Sequence, residues 1–371
     1  MENRKIKENS VSLLGMGCMR FPIIPDTNEI DIQKTEEMIA YAMEHGITYY
    51  DTAYPYHNGQ SEIVMGNILS KYPRESFYLA TKMPSWVFNS LEDAKRIFAE
   101  QLIKCKVEYF DFYLCHAMNL EYHNKYKELG VYEFLVEQKR EGKIRNLGFS
   151  YHDAPQNIIP IAEELEWDFA QIQFNYLDYE MQDAKKQYEE LTKRDISVVV
   201  MEPVRGGVLA NITPEAENLF KTKEPNMSVA SWALRYVGNF PNIKVILSGM
   251  SNMEQLTDNI NTFTNYKELD EEDLKIVNEA KKLILGNDFV PCTGCRYCMP
   301  CPLGVNIPRI FSLFNNYGIH KDLEKFKEQI AKLDPKELPN NCIQCGKCVR
   351  ACPQGIKVFD QLKKIENILN N

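Results

Sequence analysis

The chain has 371 residues, 44% of them hydrophobic and 26% charged, with a formal charge of -9 and a pI near 5.4. An acidic balance of this size argues against a general nucleic-acid surface, and no uninterrupted apolar run is long enough to cross a bilayer. The polar start, Met1-Glu2-Asn3-Arg4-Lys5, has no apolar core behind it, so the expectation is a soluble, cytoplasmic protein with room for one large domain and one small one.

After a short polar lead that fits a hairpin, residues 11–19 (V-S-L-L-G-M-G-C-M) read as a buried strand with glycines at its end. Residues 31–45 place Ile32, Met38, Ile39, Ala42 and Met43 at helical spacing, with Gly46 as the stop. The alternation continues. Strand-like runs recur at 47–53, 77–83, 109–117, 144–150, 169–175, 196–201 and 243–249, with helical patterns such as 91–105 and 131–141 between them. Eight strands alternating with helices predict an α/β fold closed as a (β/α)8 TIM barrel. An open doubly wound sheet is the runner-up, but no glycine-rich dinucleotide fingerprint follows the first strand. A last amphipathic helix over 270–285 leads into Gly286-Asn287-Asp288, the expected boundary between a barrel over 1–285 and a small, mainly α-helical domain over 286–371.

Chemistry gathers at the strand ends. The second barrel strand ends at Asp51, and Tyr56 follows just before Asn58-Gly59; the third ends in A-T-K at Lys82 and the fourth in Y-L-C-H at His116. Taken alone, the Asp51–Tyr56 stretch reads equally well as a turn cap and core packing. Four titratable groups at the ends of three successive strands instead converge on one pocket, because barrel chemistry sits at that face. A carbonyl that accepts hydride must be protonated as its oxygen becomes an alkoxide, which needs a general acid. Tyr56 is that acid in this reading. An adjacent ammonium, Lys82, is expected to lower its pKa, with Asp51 holding Lys82 charged and His116 acting as a neutral donor to the substrate oxygen.

The constellation resembles the aldo-keto reductase family, whose tetrad is an Asp, Tyr, Lys and His in this order; the likeness spans roughly residues 4–285. It implies hydride transfer between NAD(P)H and a small carbonyl or alcohol substrate, with the nucleotide, NADP(H) or NAD(H), lying across the barrel mouth. Carried over residue by residue, Ser150 and Gln171 match positions that hold the carboxamide. Gly17, Met19 and Arg20 lie in the first-strand loop, and Asp258 and Asn259 match the segment that grips the adenosine. The sequence also departs from the family. Met201 stands where many members carry a tyrosine, Tyr151 replaces an asparagine, and the lysine and arginine that often grip the 2'-phosphate align with Gly249 and Gln255. Arg205, before Gly206-Gly207, is a candidate phosphate contact and equally a solvated loop arginine. Trp86, Phe88 and Tyr122 are candidates for pocket walls and for core.

Of eleven cysteines, Cys18, Cys105 and Cys115 are scattered and read as buried thiols, while eight crowd into 292–352. Such clustering argues for metal rather than disulfides. The second run, C-x2-C-x2-C-x3-C-P, is the bacterial ferredoxin pattern, and the first is one residue shorter before its last cysteine. Two [4Fe-4S] clusters are expected, with tetrahedral zinc as the alternative. The ferredoxin resemblance implies crossed ligation: Cys292, Cys295 and Cys298 with Cys352, and Cys342, Cys345 and Cys348 with Cys301. The whole chain therefore resembles the ferredoxin-fused branch of the aldo-keto reductases, with iron–sulfur electron transfer and ferredoxin or another carrier as an implied partner. Two other readings stand beside self-contained hydride transfer. One is a reductase whose clusters are essential, coupled to ferredoxin or to a flavin for which no motif is visible; the other is a nucleotide-binding redox sensor or partner subunit with little turnover.

Overall fold

The computed structural model describes every residue except 26, 28, 286–288, 293, 295 and 371, and the side chains of 319 and 320. The expected boundary at 286–288 and the expected ligand Cys295 lie outside the described residues. The chain groups into two compact units, residues 1–203 with 233–269, and residues 204–232 with 270–371. Among the described residues no helix is long and apolar enough to cross a membrane.

The first unit opens with an antiparallel hairpin, β1 (Asn3–Ile6) and β2 (Asn9–Ser12). Eight parallel strands follow: β3 (Leu14–Gly17), β4 (Tyr49–Asp51), β5 (Tyr78–Pro84), β6 (Phe110–Met118), β7 (Ile144–Tyr151), β8 (Phe169–Gln173), β9 (Ser197–Met201) and β10 (Ile243–Ser248). They close as β10-β3-β4-β5-β6-β7-β8-β9, which is the expected barrel and not an open sheet.

The helices form where the sequence places caps. Ile32–Glu44 starts at Asp31, whose carboxylate accepts from the Lys34 N–H, and ends at Gly46, whose φ of +84° only glycine adopts without strain. Leu91–Cys105 starts at Ser90, whose hydroxyl accepts from the Asp93 N–H, and stops at Lys106 in the left-handed region.

The barrel interior is packed by Tyr49, Ala80, Phe112, Leu114, Phe169, Val199, Val245 and Leu247, with Ile6 and Val11 of the hairpin in the same cluster. The hairpin therefore joins the barrel core. Gly15 is part of that fit, since a Cβ there would lie 2.6 Å from Val245 and 2.8 Å from Leu247.

At the opposite end from the mouth, Asp111 is buried near the start of β6. It accepts from the Leu79 N–H at 2.9 Å and pairs with Arg74 at 2.6 Å and Arg145 at 3.3 Å. The two guanidinium groups lie 4.0 and 3.8 Å from the centroid of the Tyr109 ring, so one aromatic spacer serves both cations.

The second unit holds its own core. Val290, Ile307, Phe311, Phe314, Phe326 and Ile365 are buried in it, and Cys292, Cys298, Cys301, Cys342, Cys348 and Cys352 pack against it. Its helices include Glu271–Leu285, expected as the last of the barrel, and, beyond residue 286, Ile307–His320, Leu323–Ala331 and Val358–Asn370, in keeping with the expected mainly helical character there.

Candidate active site and cysteine-lined cavities

Side chains in a strand alternate between faces, so a residue two positions beyond an inward core residue also points inward, one layer nearer the mouth. Asp51 stands two beyond Tyr49, Lys82 two beyond Ala80, and His116 two beyond Leu114. The same step leads from Phe169 to Gln171 and from Val199 to Met201. One packed layer of the barrel thus sets the orientation of a polar layer above it.

Lys82 is the centre of that layer. Its ammonium is 1% exposed and donates to Asp51 Oδ1 at 2.6 Å, to the Thr52 carbonyl at 2.8 Å and to Tyr56 Oη at 3.3 Å. Three acceptors for three N–H bonds satisfy a buried ammonium completely. Buried hydroxyls hold the neighbouring backbone: Thr52 Oγ1 bonds Ser61 Oγ at 2.8 Å, and Ser61 Oγ donates to the Cys18 carbonyl at 3.0 Å. Behind β5, the buried Glu62 accepts from Thr81 and Gln101, each at 2.7 Å, and Gln101 also donates to the Lys82 carbonyl at 3.0 Å. Tyr56 enters the site on a turn that continues through His57 and Asn58, both left-handed, and Gly59. That turn is fastened by the Phe21 N–H donating to His57 Nε2 at 3.2 Å. The Tyr56 ring stands edge-on to His116, with centroids 6.2 Å apart.

Electrostatics follow from this packing and correct one expectation. Burial pushes the Tyr56 phenol well above its ordinary pKa, with the Asp51 carboxylate acting in the same direction and Arg20 opposing it. The expected lowering by Lys82 is not seen. With Asp51 2.6 Å away, the ammonium reaches the phenol as half of a nearly neutral pair, and the loss of water dominates. Burial and the Lys82 charge hold His116 well below the ordinary histidine pKa, so it is neutral, and its Nδ1 is a buried atom without a hydrogen bond. Burial, with Lys82 again, lowers His152 to about 4. The sequence reading missed His152; its signal was a second histidine two residues beyond Ser150 at the end of β7.

Ser150 and Gln171 are register partners on β7 and β8. Ser150 Oγ accepts from the Ala117 N–H at 2.9 Å, which leaves its own proton to donate, and Gln171 Oε1 is buried without a partner. A donor and an acceptor therefore stand side by side at the mouth, the pair that an amide group requires. Gly17 is the last residue of β3 and pairs with Asp51. Met19 and Arg20 are half-buried in the loop beyond, and Met201 is half-buried at the end of β9. Arg20 lies 3.9 Å from Glu202, and its stem packs on Gly249, where a Cβ would come within 3.0 Å of it. Asn259 is buried and donates to Ser248 Oγ at 2.9 Å, while Asp258 is half-buried on the same helix, Met253–Thr264. Arg205 belongs to the second unit. It is fully buried, with its guanidinium 5.6 Å from the Phe289 ring, so it is not a solvated loop arginine.

Of the wall candidates, Phe88 is core, fully buried against Tyr126. Trp86 remains 40% exposed with its ring 5.0 Å from that of His116, and Tyr122 is half-buried.

Two cavities in the second unit collect cysteines from both ends of its sequence. One is lined by Cys301 together with Cys342, Cys345 and Cys348. The other is lined by Cys292 and Cys298 together with Cys352. Ile307 contributes to both. Among the described residues, no three His, Cys, Asp or Glu side chains form a group that can hold a single metal ion. Cys18, Cys105 and Cys115 are buried thiols of the first unit, all raised by burial.

Known proteins match the same two segments. A model of the aldo/keto reductase family matches residues 13–282, and one of a 4Fe-4S dicluster domain matches residues 291–356. An uncharacterized oxidoreductase of Bacillus subtilis, YqkF, is 26% identical over 314 residues, 76% of this chain and 97% of its own length. The NADH-specific methylglyoxal reductase of Escherichia coli is 26% identical over 294 residues, 68% of this chain and 89% of its own. Among solved structures, the holo form of aldo-keto reductase AKR11C1 from Bacillus halodurans superposes with a TM-score of 0.62 at 23% identity, covering 76% of this chain and 96% of its own. The aldo-keto reductase Tm1743 in complex with epalrestat superposes with a TM-score of 0.62 at 20% identity, over 76% of this chain and all of its own. The strand-end tetrad and the closed barrel thus have a family: this chain belongs to the aldo/keto reductases, in a form that carries a C-terminal 4Fe-4S dicluster domain.

Proposed function

We propose that the protein reduces a small carbonyl compound with NAD(P)H, Tyr56 giving the proton, and that its C-terminal segment carries two [4Fe-4S] clusters for electron transfer. The observation that carries the first part is the single ammonium of Lys82 bonded to both Asp51 and Tyr56. Bound nicotinamide supplies the hydride. Tyr56 stays protonated across neutral pH because burial raises its pKa, and it releases its proton as negative charge grows on the carbonyl oxygen. The developing alkoxide is a far stronger base than a tyrosinate, so proton transfer from the phenol stays downhill. Lys82 holds the Tyr56 oxygen in place through its hydrogen bond, Asp51 fixes Lys82, and the neutral His116 orients the substrate oxygen.

Ser150 and Gln171 are assigned to the carboxamide, and the buried, unpartnered Gln171 Oε1 supports that fit. Gly17, Met19, Arg20, Met201, Asp258 and Asn259 complete the nucleotide contacts in this reading. Arg205, buried beside Phe289 in the second unit, is left out of these contacts. NADH is the proposed donor. Gly249 and Gln255 offer no cation to a 2'-phosphate, and the related Escherichia coli enzyme is named as NADH-specific.

Residues 1–285 are taken as the reductase domain and 286–371 as the iron–sulfur domain. The two cysteine-lined cavities support two clusters. Cys342, Cys345 and Cys348 meet Cys301, and Cys292 and Cys298 meet Cys352, in cavities with largely apolar walls. Four thiolates around a four-iron body stand farther apart than four around one zinc ion, and among the described residues no three of these thiols come together for a single ion, which favours the cluster over zinc. Loss of nicotinamide absorbance on adding aldehydes and dicarbonyls to anaerobically purified protein tests the reading. Substrate-dependent consumption of NADH is expected; none with any carbonyl, in protein shown to bind the nucleotide, contradicts it.

A further inference from the structure

One of the two cysteine-lined cavities reaches the surface through its own lining residues. At the Cys301–Cys342–Cys345–Cys348 cavity, Cys345 is exposed, and two apolar lining residues, Ile343 and Leu303, are 65% and 42% exposed. An electron carrier must bring its redox centre close to the cluster it serves, and the exposed Cys345, Ile343 and Leu303 bring this cavity to the surface.

The rim of that open cavity is basic. A Cβ on Gly346, in its wall, would meet the Arg350 guanidinium at 3.0 Å, and Lys347 follows Gly346 directly. A Cβ on Gly304, next to Leu303, would meet Lys336 at 3.4 Å. Lys336, Lys347 and Arg350 are all exposed. Among the described residues none of the three takes part in an ion pair, whereas nearby Lys332 is tied to Glu328 at 2.6 Å. The carboxylates closest in sequence are Asp334, Glu337 and Asp360. Asp334 and Glu337 are engaged in capping the turn at Pro335–Glu337, and Glu337 also accepts from Asn306. The local balance is part of a wider one. Residues 289–371 carry twelve Lys and Arg against seven Asp and Glu, a formal +5, in a chain whose total is -9.

We propose that this rim, Lys336, Lys347 and Arg350 around Ile343 and Leu303, docks an acidic one-electron carrier protein of the ferredoxin class. Charge complementarity steers the encounter, and the exposed apolar pair supplies the desolvated centre of a small, transient interface. In each encounter the reduced carrier loses one electron, which is taken up at the Cys301–Cys342–Cys345–Cys348 site; no atom or proton is exchanged. The proposal rests on the cluster reading above, so its test counts iron first.

The probe is a small, strongly acidic bacterial ferredoxin in its oxidised form, titrated against anaerobically purified full-length protein by calorimetry. The expected result is micromolar binding that weakens as salt is added. The Lys336→Glu/Lys347→Glu/Arg350→Glu variant, with its iron content and cluster absorbance unchanged, should bind at least about tenfold more weakly. Ile343→Ser should weaken binding several-fold with little change in its salt dependence. Affinity in the triple variant equal to that of the parent, at full iron content, overturns the docking surface while leaving the clusters in place. A parent protein that holds no iron after anaerobic reconstitution overturns the cluster reading and the proposal with it.

Discussion

Lys82 Nζ lies 2.6 Å from Asp51 Oδ1, and both side chains are almost wholly removed from water. A buried pair of this kind holds its geometry because each charge would be costly without the other. Removing one member should therefore cost more than removing both. Lys82→Met leaves the Asp51 carboxylate stranded and should lower unfolding free energy by about 3–5 kcal/mol, while adding Asp51→Asn should recover part of the loss. Denaturant melts of the two variants give the comparison. Equal losses in both would mean that the pair is not held as an ion pair.

Nucleotide choice is set at Gly249 and Gln255 in this account. Gln255 Oε1 is occupied with the Ser251 N–H at 2.8 Å, and Arg20 fills the space beside Gly249. Gln255→Arg should raise the affinity for NADPH about tenfold, the worth of one charge-assisted phosphate contact, and leave that for NADH unchanged. Fluorescence titration with each nucleotide measures both.

Acid should weaken the site through His152. Its pKa is lowered to about 4 in the folded protein, below the ordinary value of 6.5, so the unfolded chain binds the extra proton between those limits. Stability supplied by this group is present above the ordinary value and is lost as the pH falls from 6.5 toward about 4. Melting temperatures of the parent should drop across that window, and His152→Gln should flatten the slope.

At the far end of the barrel, Asp111→Ala should cost about 3–5 kcal/mol by stranding Arg74 and the Leu79 N–H, with turnover per folded molecule unchanged. A kinetic defect in the folded variant would show that the strand starts and the strand ends are coupled.

Iron content tests the cysteine assignments separately. Cys345→Ser should lose about one cluster's iron, and so should Cys295→Ser, although Cys295 lies outside the described residues. Cys115→Ser, a change in a buried thiol of the barrel, should leave iron untouched.

Much of this was legible in the sequence for one physical reason. Barrel strands alternate with helices at a period that composition reveals, and titratable residues at strand ends stand out against apolar runs, so Asp51, Lys82 and His116 were visible before their distances were known. Cysteine spacing likewise announced the second motif. The pKa of Tyr56 was not legible, because its sign depends on how much water the fold removes and on Asp51 cancelling Lys82, both three-dimensional quantities. The burial of Arg205 and the nearness of His152 to Lys82 are of the same kind. Loop residues carry no periodicity from which their direction can be read.

The most direct measurement is the single-turnover rate of Tyr56→Phe alongside its nucleotide affinity. The account predicts NADH binding close to that of the parent and a rate lower by about two to four orders of magnitude, the worth of a general acid. Carbonyl reduction at the parental rate by that variant would contradict it and remove Tyr56 from the chemistry.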